Sequence, residues 1–531
     1  MIRSGIDLSF DTREMIRPYG LKNFPKGYYQ QQDVFSYENN TDVLLTYRNQ
    51  LSNSFNLSVS VGANRMDNKY KMQQAYVKDL ITPGVYKLSN GVAAPITTFT
   101  ERNKRVNSVY GTATLSYANK IFLDVTGRND WSSTLPSGNN SFFYPSVSTS
   151  FILSDLLRLP EQISFAKLRA SWAQVGNDTA PYKTAKYYNT SAFPGSASVS
   201  STLYNARFKP EISNSIEVGL DWRMFKQRFG LDLAFYNNIT RNQILDVPMD
   251  QTTGYTKATM NSGKVRNRGI ELQLDGTPVK TKNFTWNSTF TWAKNYNKVL
   301  SLAAGLTDGQ TIAYTGGTNC ALIAKVGGSI GDIYVNSVKK DGNGYVYVNP
   351  NTLSMMVDNE NLIYAGNTNP DCSLGFNNAF SYKGFTLSFL IDARIGGKVV
   401  SATQAVLDSF GASEQSAKAR DNGGVLVNGV LMDAETYYTQ VGAGTGVLSN
   451  YVYDATNIRL REVTFGYTFR NLLGAGKNLT AAIIGRNLFF FHKDAPMDPD
   501  VSAGTGNGIQ GVDMFALPTS RSFGLNLKLN F

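Results

Sequence analysis

The last eleven residues, RSFGLNLKLNF, put Phe523, Leu525, Leu527, Leu529 and Phe531 on one side of an extended strand, and Ser522, Gly524, Asn526, Lys528 and Asn530 on the other. The reason is that successive side chains of a strand point to opposite faces. The pattern returns along the chain. In SIEVGLDWR, Ile216, Val218, Leu220 and Trp222 alternate with Glu217, Gly219, Asp221 and Arg223. In FGLDLAFYN, Phe229, Leu231, Leu233 and Phe235 share a face, and FTLSFLIDARI aligns Phe385, Leu387, Phe389 and Ile391. Such segments run about ten residues, enough to cross a bilayer at a tilt and longer than the ordinary strand of about five or six.

The alternation predicts about 17 strands. They begin with 2–11, 28–37, 42–50 and 53–63 and end with 456–469, 478–489 and 521–531. Within 456–469 the apolar phase slips between Leu460 and Val463, which predicts a bulge. From residue 118 onward the connections alternate in length. Tight ones fall at 118–120, 154–162, 225–227, 276–283, 382–384 and near 470–477; between them lie roughly 129–142, 175–212, 241–264, 296–372, 397–455 and 490–520, several of them far longer than ordinary loops. Short turns at one end and long loops at the other are the arrangement of an outer-membrane β-barrel, with periplasmic turns and extracellular loops. Helices are minor; 402–420 (ATQAVLDSFGASEQSAKAR) is one predicted helix inside a loop.

Composition agrees with strands and turns. Charged residues are only 17%, aromatic residues 12%, glycines number 47, and mean hydropathy is −0.24. No run approaches the roughly 18 apolar residues of a membrane-spanning helix, whereas barrel strands hide their lipid face in alternation. The net charge of +11 suits phosphorylated lipid headgroups or an anionic ligand. It is spread out, without the Lys/Arg runs of a nucleic-acid patch, so no nucleic-acid partner is expected. Cys320 and Cys372 are too few for a disulfide framework, and whether they pair is left open. Met1 runs directly into IRSGIDLSF, with no basic stretch followed by an apolar one, so no signal peptide is expected in these residues.

Candidate chemistry is sparse. The one histidine, His492, lies in FFFHKDAPMDPD without a G-x-S-x-G elbow, so a Ser-His-Asp site is not expected. One histidine and two distant cysteines do not make a zinc site. KKDGNGYVY (339–347) has calcium-loop spacing but lacks the closing Glu, and reads as a hairpin turn. No metal, cofactor or catalytic residue is expected, and the chain is not read as an enzyme. The long loops are rich in Tyr, Asn, Ser and Gly, as in PYKTAKYYNTSAFPGSASVSSTLYN (181–205), and are expected to form a vestibule that contacts substrate.

Several stretches resemble one family. VTGRNDWSSTLPSGNNSFFYPSVSTSFILSD (125–155) is similar to the signature hairpin region of SusC/RagA-type TonB-dependent outer-membrane proteins. GKVRNRGIELQLDGTPVKTKNFTWNSTFTWAKNYNKV (263–299) resembles the family's N-x-G-I-E strand, tight turn and tryptophan-bearing return strand. GGSIGDIYV (327–335), YAGNTNPDCSLGFNNAFSYKGFTLSFLIDARIGGKV (364–399), IRLREVTFGYTF (458–469) and the closing strand resemble it too, so the likeness runs in order through nearly the whole chain.

The resemblance implies an all-β transmembrane antiparallel barrel of about 22 strands in the outer membrane, its lumen plugged by an N-terminal domain. It implies import of glycans or oligopeptides, a SusD-like surface lipoprotein as lid, and energy from TonB acting on a TonB box. It also implies that Phe531, a C-terminal aromatic on the last strand, serves as a signal to the barrel-assembly machinery. Residues 1–531 are therefore expected to be barrel throughout, without signal peptide, TonB box or plug. An odd count of 17 leaves the two edge strands parallel, so about five more strands are expected to close the wall. The alternative reading is a barrel-anchored surface receptor or adhesin that binds without transporting; a barrel hydrolase using His492 is a distant third. Substrate-binding residues are not readable.

Overall fold

The computed structural model describes every residue except 191–194, 304–308, 315–318, 353, 444–445, 473, 475, 501, 503–509 and 531. One 16-stranded sheet dominates it, and its strands lie in chain order, each antiparallel to the next. They are β1 (Ile2–Leu21), β2 (Phe24–Gln50), β3 (Phe55–Lys78), β4 (Ile96–Tyr117), β5 (Ile121–Ser132), β6 (Ser141–Ile152), β7 (Ile163–Asn177) and β8 (Glu211–Met224). There follow β9 (Phe229–Arg241), β10 (Lys264–Lys280), β11 (Phe284–Ser301), β12 (Cys372–Tyr382), β13 (Phe385–Ile395), β14 (Asn457–Phe469), β15 (Asn478–Lys493) and β16 (Ser522–Asn530).

The count is one below the expected number because 28–37 and 42–50 are a single strand, β2, of 27 residues. The gap expected at 38–41 is held extended: across to β3, Asn68 Nδ2 donates to Glu38 at 3.1 Å, and along β2 Asn40 Nδ2 donates to the same carboxylate at 2.9 Å. With 16 strands the edges β1 and β16 run antiparallel, not parallel as the odd count implied. Among the described residues no pairing joins them. The expected bulge is present, as a register shift where Leu390 pairs with Glu462 and Ile391 with Leu460.

Register carries one row of apolar side chains from strand to strand. Trp292, Leu272, Leu233, Leu220, Leu168, Phe151, Ile121, Tyr117 and Phe55 are successive cross-strand partners from β11 back to β3. The row starts in mid-strand at Trp292 and reaches the β4–β5 turn at Tyr117, so the strands are staggered, as a closing barrel requires. A second row links Leu525, Ile483, Phe465, Leu387, Phe380 and Trp286. This face packs against nothing: Leu45 and Phe523 are each 76% exposed and Ile483 62%. A soluble sheet would bury such a face, so its solvent is lipid.

Tight connections at 51–54, 118–120, 153–162, 225–228, 281–283, 383–384 and 470–477 share one end of the sheet. Three of them turn on consecutive left-handed residues: Ala118 and Asn119 (φ 50° and 56°), Phe225 to Gln227 (φ 53°, 57° and 65°), and Lys383 and Gly384 (φ 45° and 98°). The long loops leave the other end, where β1–β4 also project well beyond the roughly ten residues that span a bilayer.

The two largest buried apolar clusters lie in those loops. Cys320, Leu322, Ile333, Val335, Val400, Ala405, Leu448, Tyr451 and Val512 form one dry cluster drawn from three loops, 302–371, 396–456 and 494–521. A second gathers Met355, Ala419, Val427, Ala434, Tyr438, Val441 and Val447. Three short helices pack there: α1 (Ala402–Ser409), α2 (Glu414–Asp421) and α3 (Ala434–Val441). The single helix expected over 402–420 is two, because Gly411 turns left-handed (φ 65°) and Ser413 caps a new start by accepting from Ser416 N.

The two faces of β15 give a direct test in lipid. Ile483→Arg is expected to cost about 2–4 kcal/mol, and Ile484→Arg on the opposite face less than about 1 kcal/mol. Urea unfolding in liposomes measures both; equal costs would contradict the assignment of faces.

Candidate functional site

Opposite the apolar face the same strands carry polar and charged side chains. Gly219, Ala234, Glu271, Ala293 and Ser373 are cross-strand partners in one row; Asp221, Asp232, Gln273, Thr291, Gly375 and Asp392 form the next. Small residues in both rows leave a basin of about 590 Å³, with Arg169, Glu217, Arg223, Asp232, Glu271 and Asp392 among its lining. Arg169 donates to both oxygens of Asp232 at 3.1 and 2.9 Å. Arg223 donates to Asp221 at 2.8 Å and to Asp275 at 3.1 Å. These groups are about a third exposed, so each pair is worth at most about 1 kcal/mol. Their effect is to fix a wetted, charged wall. Further pairs line it towards β1, where Tyr110 donates to Asp42 at 2.7 Å and Tyr144 to Asp130 at 2.6 Å.

Over the mouth of this wall the long loops are folded against one another. Residues Thr202–Leu203 pair with Lys257 and Ala258, so the loop containing 181–205 is stitched to 242–263. Tyr182 accepts a bond from Asn103 N at 3.1 Å, tying the same loop to β4. Tyr188–Thr190 pairs with Ala197–Val199, while 191–194 lie outside the described residues. Burial raises the Tyr451 phenol and pushes that of Tyr453 up to about 12, with the Asp408 carboxylate adding to both. Burial alone pushes the Cys320 thiol up to about 12.

The residues singled out in the sequence fall as follows. His492 stands at the end of β15, half-exposed, with Nε2 3.2 Å from Asp494 Oδ1. It pairs across the sheet with Ile458, on the apolar side and away from the basin. The Asp341 turn is a hairpin, with Lys340 bridged to Val346. Its carboxylate accepts from the N–H groups of Asn343 and Tyr345, both at 2.9 Å, the bonds of a turn. Cys320 and Cys372 are both free thiols. Phe531 lies outside the described residues, so its role as an assembly signal stays an expectation. Alternation identified the wall's polar face but not the basin, because the basin depends on which residues of seven strands, β7 to β13, come together.

Comparison with known proteins bears on this wall as a whole. The family described as "TonB dependent receptor-like, beta-barrel" matches residues 4–396. TonB-dependent receptor P3 of Formosa agariphila is 25% identical over 94% of this chain and 53% of its own length. TonB-dependent receptor SusC of Bacteroides thetaiotaomicron is 24% identical over 82% of this chain and 44% of its own. The chain thus spans about half the length of the curated relatives it matches. Among solved structures, the RagAB peptide importer in its 'open-open' state superimposes on 100% of this chain and 59% of the other, with TM-score 0.77 and 18% identity. At that identity the likeness is one of fold.

The raised thiol yields an expected outcome. At pH 8.5 Cys320 in the folded protein should react with iodoacetamide at least about tenfold more slowly than after unfolding, since the thiolate is the nucleophile. Peptide mass mapping measures the two rates; equal rates would show that the loop core is open.

Proposed function

The chain belongs to the TonB-dependent receptor-like β-barrel family, and from that premise we propose that it forms the wall of an outer-membrane importer of glycans or oligopeptides. The observation that carries this reading is the pairing of a lipid-suited face, continuous through the register, with a charged and wetted opposite face. A wall of that kind separates acyl chains from an aqueous lumen, and its loops stand where solute arrives. The unpaired edges of β1 and β16 support a wall completed by further strands, because open backbone groups in lipid cost several kcal/mol each. In the intact receptor a plug domain fills the lumen and TonB supplies the energy. A SusD-like lipoprotein lids the mouth, as the likeness to SusC and to RagAB supports. On this reading the barrel performs no covalent chemistry; it positions solute and yields a path.

Cells carrying the full-length receptor, offered labelled glycan and oligopeptide mixtures, are expected to accumulate one class. A protonophore should abolish accumulation while leaving surface binding intact. Removal of residues 181–205 should lower both. Binding without energy-dependent accumulation would refute import and leave a surface receptor.

A further inference from the structure

At the mouth of the wall three arginines converge, and the chain itself supplies the carboxylates that face them. Arg394 ends β13, and Arg459 and Arg461 start β14. The bulge leaves Arg461 as the extra residue beside Asp392: its Nη2 donates to Asp392 Oδ2 at 2.5 Å, while Arg459 Nε stands 3.5 Å from Asp392 Oδ1. On the strands themselves two guanidiniums therefore share the Asp392 carboxylate, while Arg394 donates to the Thr368 carbonyl. The balance comes from the segment that follows β15. Asp498 Oδ2 lies 3.6 Å from Arg459 Nη1. Asp500 pairs with Arg459 Nη2 and lies 3.5 Å from Arg461 and 4.0 Å from Arg394. Three positive and three negative charges then cancel.

The fit is electrostatic more than directional. The Arg459 side chain is 2% exposed and its guanidinium stands 5.2 Å from the Phe490 ring. Yet its Nε, Nη1 and Nη2 have no well-formed hydrogen bond among the described residues. A guanidinium is best satisfied by a parallel, bidentate carboxylate, and Asp498 and Asp500 meet it off that geometry. The segment's other holds are these: Ala495 and Met497 pack on Val399 and Ala455, Asp494 N donates to the Thr456 carbonyl and its carboxylate lies 3.2 Å from His492 Nε2, Lys493 Nζ donates to the carbonyls of Pro496 and Met497, and Thr519 donates to Asp498.

We propose that Arg394, Arg459 and Arg461 form a carboxylate-binding site on the lumen wall, which Asp498 and Asp500 occupy as an internal stand-in. A solute carrying two carboxylates takes the site by displacing residues 494–500. The inference rests on reading this face as the lumen of an importer and adds the chemical class of solute. Acidic peptides and acidic sugars share the required chemistry.

The test uses the full-length receptor in detergent micelles with two probes, the blocked peptide acetyl-Asp-Pro-Asp-amide and digalacturonate. Calorimetry is expected to register at least one, and which one binds identifies the source of the carboxylates. D498N/D500N removes the competitor and is expected to bind at least about tenfold more tightly, since the competent fraction rises. R461Q, at a guanidinium about a third exposed, should weaken binding at least about tenfold by losing a charge-assisted bond. In the wild type, saturating probe should speed hydrogen exchange of the 494–500 amides. Equal affinities for the wild type and D498N/D500N, or no binding of either probe to that variant, would overturn the proposal. If the double variant forms no heat-resistant barrel, D500N alone makes the same comparison. Binding of probe by a receptor that imports nothing would refute import and leave the site standing.

Discussion

Everything in this structure depends on one constraint: within hydrocarbon, each backbone N–H and C=O must find its partner inside the protein. An extended chain meets it only by pairing on both sides, which is why strands run in chain order through 16 neighbours without a crossover. Pairing in order fixes register, and register fixes faces. Once Leu220 is opposite Leu233 and Leu168, the alternation of each strand becomes one continuous apolar belt. The wall has no dry interior between layers, because one of its layers is the membrane.

Beyond the wall the physics reverses. The loops at the far end meet water and fold as soluble protein does, with Ile333, Val335, Val400 and Ala405 fully buried among their neighbours. Three loops far apart in sequence contribute to that one cluster, so the cap is a shared body and not a fringe of independent loops. Its polar links also join distant loops, as where Ser401 donates to Asp513 at 2.6 Å between the paired segments Lys398–Ser401 and Val512–Asp513. The arginine cluster lies where the two regimes meet. There the wall offers cations and the segment after β15 offers anions, and each is half of a neutral group that neither forms alone.

The sequence by itself determined the class of the molecule and much of its layout. A period of two is a local property, so Phe523 to Leu529, Ile216 to Trp222 and Phe385 to Ile391 declared their faces without reference to any partner. The alternation of short and long connections then declared two ends. Even the bulge was legible, because a slip of phase between Leu460 and Val463 has one cheap structural solution. The merged β2 and the divided helix show the limit of local reading. Asn39 and Asn40 look like a turn until Asn68 is brought beside them. The 402–420 run looks like one helix until the left-handed turn at Gly411 and the Ser413 cap are both counted.

What only the tertiary structure decided is whatever depends on distance across strands and loops. Arg459, Asp392 and Asp500 are scattered through separate segments, and nothing in the spacing of their letters joins them. The basin exists because Ala234, Ala293 and Gly375 fall near Glu271 and Gln273 in adjoining rows, a consequence of stagger and not of any one strand's composition. Alternation along a chain is set by covalent geometry, one residue at a time. Coincidence between chains is set by register, and register exists only once the sheet has formed.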